Sequence, residues 1–207
     1  MTKKINFIFN STILIITITI LFMKVFLANK GLVIDDEAWF LLLIRDLPSG
    51  DAPTQFHKLF FNVFNGDIYQ IRISYLFLEI VSYFTFSYGL YYFLKEKLIL
   101  KPLHIFTFFA LTLIGFSIFS LPICNIPYYA NLNKTLIPLS IGFFLLANYK
   151  YTIQKQHQHL LYLAGLVVGF QAFIMITTVS IYLLFLILIL FYFKQKKITS
   201  CIYYCLG

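Results

Sequence analysis

Long apolar stretches constrain this chain more than any other feature, because about 20 apolar residues carry an α-helix across a hydrocarbon layer. Residues 5–27, 71–94 and 103–123 reach that length. Residues 136–147 are shorter and need their flanks. Residues 160–193 are too long for one crossing and fit two short ones, 160–175 and 178–193, turning near Ile176, Thr177 and Thr178. A mean hydropathy of +0.85 and a hydrophobic share of 60% exclude a water-soluble globular domain. The expected fold class is all-α: a polytopic transmembrane helical bundle of about six spans, forming a single domain over residues 1–207.

Cationic residues near span ends are retained on the cytoplasmic side and so set direction. With the N-terminus inside, the inner segments hold ten lysines: Lys3, Lys4, Lys95, Lys97, Lys101, Lys150, Lys155, Lys194, Lys196 and Lys197. The outer side holds six cations, Lys24, Lys30, Arg45, Lys58, Arg72 and Lys134. This asymmetry predicts a multi-pass cell (inner) membrane protein with a cytoplasmic N-terminus. It also accounts for the net charge of +8 through orientation and lipid headgroup contacts, so no nucleic-acid partner is called for. The first apolar run is too long for a signal-peptide core and lacks a small-residue cleavage site, and reads as an uncleaved span.

The charge that remains is concentrated. Of 8 Asp and Glu residues, six (Asp35, Asp36, Glu37, Asp46, Asp51 and Asp67) fall in the outer loop, residues 28–70. Within it, residues 35–46 form a helix capped by Asp35 or Asp36 and stopped by Pro48, Ser49 and Gly50. Residues 54–65 form a second, with Phe56, Leu59, Phe60, Val63 and Phe64 at i, i+3, i+4, i+7 and i+8. Both are too short to span and are predicted to lie in the membrane interface, apolar face down.

Helix capping explains one or two of the three consecutive acids, a stabilisation of roughly 0.5–2 kcal/mol. Three adjacent carboxylates exceed what a cap requires, and their repulsion favours a site that accepts a proton or holds a cation. Arg72, entering the second span, suits either snorkelling to the interface or contact with a lipid phosphate. His57 reads as an exposed helix histidine or as a group orienting a substrate hydroxyl or phosphate. Glu79, two turns into the second span, is a candidate for function or for helix pairing, as intramembrane carboxylates are. Gln171 and the Thr177-Thr178 turn are candidates to line the same outer cavity. Cys201 and Cys205, on the inner side, predict neither a disulfide nor a zinc site. His157 and His159 read as a solvated polar turn, with metal binding the sharper alternative.

An N-in first span followed by an outer loop with an acidic pair near its start and two juxtamembrane helices resembles the GT-C superfamily of membrane glycosyltransferases. These use polyprenyl-phosphate sugars and include protein O-mannosyltransferases and the aminoarabinose transferases of lipid A. The residues that carry the likeness are Asp36-Glu37 within Ile34-Asp35-Asp36-Glu37-Ala38-Trp39-Phe40, then Ile71-Arg72-Ile73 and the glycines Gly165 and Gly169. A basic residue and a proline, which many relatives place after that glycine stretch, are absent here.

The resemblance implies sugar transfer from a polyprenyl-phosphate donor to a glycan, lipid or protein acceptor at the outer face. It makes Asp36 the base and Glu37 its catalytic partner, with Asp35, Arg72, His57 and Glu79 binding substrate. Asp36 and Glu37 would hold a divalent cation, Mg²⁺ or Mn²⁺, if one is used. The alternative readings are a polymerase or flippase of envelope polysaccharide, or an inactive fragment of a transferase. The likeness covers the front part of such an enzyme, so truncation at the C-terminus is expected.

Overall fold

A computed structural model describes residues 2–28, 58, 61–97, 105–119, 129–174, 179–193 and 196–207. Among the described residues the chain is helical and contains no strand. The helices are α1 (Thr2–Ala28), α2 (Ile68–Lys97), α3 (Ile105–Phe119), α4 (Tyr129–Thr152), α5 (Gln158–Ile174), α6 (Val179–Tyr192) and α7 (Lys197–Leu206).

By length and composition, two stretches are long and apolar enough to cross a membrane, Phe9–Ala28 in α1 and Ile68–Lys95 in α2. Within the described residues α3, α5 and α6 comprise 15, 17 and 14 residues. Helix α4 is longer than its apolar stretch of 136–147 suggests, because the preceding turn buries Leu132 and Asn133 and continues as helix.

The helices alternate in direction. Lys24 near the end of α1 meets Glu79 near the start of α2, whereas Thr107 at the start of α3 bonds Asn10 at the start of α1. Along α2 and α4, Tyr75 pairs with Thr135 and Tyr92 stacks on Tyr149, so those two run parallel. Helix α7 climbs beside α5: Ser200 faces His157, and the Tyr204 backbone lies against Gly165. The bundle therefore has two ends. One receives the end of α1, from which the acidic segment departs. The other carries the α4–α5 turn and the start of α7, where lysines gather.

Close approach of backbones joins α2 and α4. A Cβ at Gly142 of α4 would lie 2.6 Å from the Phe86 nitrogen, and one at Gly89 of α2 would lie 2.6 Å from the Gly142 carbonyl oxygen. Without side chains at either place, the two helices touch directly, the arrangement small residues permit in apolar surroundings. One core cluster joins Phe144, Ala147, Leu161, Ala164, Phe185 and Ile189 across α4, α5 and α6. A second joins Tyr75, Leu132, Leu136, Leu139 and Val167 nearer the acidic end.

Candidate functional site

The entry to α2 is built from local rules. Residues 61–63 are helical, and the turn after them carries Asn65 and Gly66 at positive φ, 51° and 73°. The Gly66 amide donates to the Phe61 carbonyl and the Asn65 amide to that of Asn62, the pair of bonds that closes a helix C-terminus. Asp67 then caps α2, its Oδ1 accepting from the Tyr69 and Gln70 amides at 2.9 and 3.2 Å. One of the six loop carboxylates is thus a helix cap.

Past that cap, α2 presents a polar face inside an apolar helix. Arg72, Tyr75, Glu79 and Ser82 follow at intervals of three, four and three residues, and all are buried. The Glu79 carboxylate pairs with the Lys24 ammonium at 2.6 Å, with both side chains below 10% exposed. The Tyr83 hydroxyl reaches the same carboxylate. Arg72 Nη1 donates to the Ala28 carbonyl at 2.9 Å, tying α2 to the last described residue of α1. Tyr75 shares a 2.7 Å hydrogen bond with Thr135, and the Ser82 hydroxyl donates to the Thr135 carbonyl. That carbonyl adjoins the one Pro138 deprives of its usual amide donor, so a side chain supplies polar contact where the helix ladder is interrupted.

Asp35, Asp36, Glu37 and His57, with the surface helix over residues 35–46 and half of that over 54–65, lie outside the described residues. Arg72 and Glu79 are placed, and they share one buried network. Arg72 does not snorkel: it is 4% exposed and fastens α1. Glu79 is engaged by a cation, Lys24, whose spacing in the sequence marks it only as a residue near a span end. Gln171 is fully buried near the end of α5, and among the described residues neither its side-chain oxygen nor its nitrogen has a hydrogen-bond partner. The signal that finds the rest of the network is the spacing of 72, 75, 79 and 82, which puts polar side chains on one face of a membrane-length helix.

At the opposite end, His157 departs from the expected solvated turn. It is 2% exposed, stacked on Phe193 at 5.3 Å and edge-on to Tyr151 at 5.2 Å. Burial holds its imidazole below the ordinary value of 6.5 against the raising effect of the Lys155 carbonyl, and Lys196 and His159 add to the lowering. His159 is exposed and lines a different cavity with Tyr162 and Tyr203, so the two imidazoles serve separate surroundings. Among the described residues no group of three or more His, Cys, Asp or Glu is placed to hold a metal ion. Cys201 and Cys205 are free thiols.

No protein-family model, no curated protein and no solved structure matches this chain.

Proposed function

We propose that this chain acts as an integral membrane glycosyltransferase, moving a sugar from a polyprenyl-phosphate donor to an acceptor hydroxyl on the outer face. The observation that carries the reading is the double fastening at the end of α1, the buried Lys24–Glu79 pair and the Arg72 bond to Ala28. Asp35 follows Ala28 by seven residues, so the acidic cluster starts within about 25 Å of a fixed anchor, at the full extension of the chain. Ordering the point of departure limits where three carboxylates can go, and positioning of that kind is what a general base requires.

In this reading the alternating helices form six crossings with the N-terminus inside, and α7 turns back along α5. Asp36 takes the proton of the acceptor hydroxyl as its oxygen bonds to the anomeric carbon. The bond from that carbon to the phosphate oxygen breaks, and polyprenyl phosphate leaves with the electron pair. Glu37 and Asp35 orient the acceptor, Asp36 and Glu37 would hold Mg²⁺ or Mn²⁺ if a cation is used, and His57 contacts a substrate hydroxyl. Arg72 and Glu79 act at the anchor, bonded to Ala28 and Lys24 of α1. Gln171 adds support, since a buried amide without partners costs about 1–3 kcal/mol, a cost that a hydroxyl-rich ligand would offset.

The test is Asp36→Asn in the full-length protein, reconstituted with a polyprenyl-phosphate sugar and a hydroxyl acceptor. Transfer should fall by about 10²–10⁴-fold with membrane insertion unchanged. Transfer at the parent rate would sink the assignment.

A further inference from the structure

The lysine-rich end of the bundle carries a feature that the transferase reading leaves unused. Between the α4–α5 turn and the start of α7 lies a cavity of about 650 Å³, lined by Tyr151, Gln154, Lys155, His157, Tyr192 and Lys196 among others. Among the described residues its lining holds two lysines and no carboxylate. Among the described residues neither lysine has an ion-pair partner, the one ion pair there being Lys24 with Glu79. An unneutralised pair of lysines in a concave site attracts a ligand with at least one negative charge.

The walls are held in place. The α4–α5 turn closes by a Lys155 amide bond to the Lys150 carbonyl at 2.8 Å and a Gln154 amide bond to that of Tyr151 at 3.0 Å. Gln154 takes the left-handed conformation, φ 57°, that this closure demands and that glycine usually supplies. His157 braces the two sides of the cavity. Its Nδ1 lies 3.3 Å from the Lys155 carbonyl oxygen, and its Nε2 lies 3.5 Å from the Ser200 hydroxyl in the first turn of α7. With Nδ1–H donating to the carbonyl, Nε2 accepts from Ser200, and a neutral ring serves both. The brace sets the backbone of Lys155 on one wall against that of Lys196, four residues before Ser200, on the other.

We propose that this cavity binds the phosphodiester headgroup of an anionic phospholipid, with Lys155 and Lys196 flanking the phosphate, Gln154 donating from the turn and His157 as a positioning residue. Inorganic phosphate presents related oxygens, but the lipid is favoured by the setting. The cavity opens where the apolar α5 begins and α6 ends, beside exposed Tyr192, the depth at which headgroups lie and basic pockets between helices take them. The inference stands independently of sugar transfer.

The experiment uses the full chain in detergent, with retention of added phosphatidylglycerol measured by native mass spectrometry against phosphatidylcholine and against inorganic phosphate. Parent protein should retain phosphatidylglycerol selectively. K155Q or K196Q should weaken retention about five-fold each, and the double variant roughly 30-fold, from the contribution of a lysine near an anionic surface. The control, K95Q/K197Q, removes equal charge from exposed lysines outside the lining and should leave retention near the parent level. Equal loss in the control, equal retention of phosphatidylcholine, or displacement of the lipid by millimolar inorganic phosphate would each overturn the proposal. Unchanged retention in the K155Q/K196Q double variant would overturn it too.

Discussion

Lys24 and Glu79 show how one contact changes the meaning of a residue. A carboxylate two turns inside an apolar helix is a functional candidate by default, and here it closes an ion pair at 2.6 Å against a lysine 55 positions earlier. Burial makes such a pair sensitive to the loss of one partner, because the survivor keeps a charge that its surroundings do not solvate. Lys24→Met should therefore lower stability by about 3–5 kcal/mol, and the double variant K24M/E79L should recover most of it. Thermal unfolding in detergent at pH 7 measures both. A K24M protein that melts like the parent would show that the pair does not hold α1 to α2. Arg72 belongs to the same scale: an expected phosphate contact, it already donates to the end of α1.

At the level of elements, the contact between α2 and α4 is one where the sequence is exacting. Gly142 and Gly89 leave no room for a Cβ, the nearest atoms being backbone that cannot rotate away. Gly142→Ala should separate the helices and cost about 1–3 kcal/mol by overpacking. Gly115 in α3 is the internal comparison, with nothing within 4 Å of the place a Cβ would occupy. There, alanine should be neutral or stabilising by up to about 1 kcal/mol through helix propensity. Equal melting shifts for G142A and G115A would contradict the packing described. Gly165 resembles a family feature in the sequence, and in three dimensions it is the place where the α7 backbone rests on α5.

For the whole molecule, the arrangement bears on orientation. Two of the six cations assigned outside, Lys24 and Arg72, are buried and internally bonded. They are not available to headgroups, so the charge comparison that predicts direction becomes ten lysines assigned inside against four cations assigned outside. In a background with Cys124, Cys201 and Cys205 changed to serine, Asp51→Cys should react with a membrane-impermeant maleimide on intact cells. Gln156→Cys, in the exposed α4–α5 turn, should react only after permeabilisation. The reverse pattern would invert the topology, and labelling of both on intact cells would remove it.

The helical class, the positions of the apolar helices and the stop near Gly66 were legible in the sequence, because local hydropathy and turn chemistry act over a few residues. So was the spacing of Arg72, Tyr75, Glu79 and Ser82 on one face of α2. Tertiary structure decided what that face meets, Lys24 and Ala28 on α1 and Thr135 on α4, since partners 44 to 60 positions away leave no mark in a local pattern. It also decided that His157 is a buried brace, although its neighbours in sequence are polar. The acidic cluster at Asp35, Asp36 and Glu37 rests on the sequence alone. The structure contributes the fixed end of α1 from which that cluster begins.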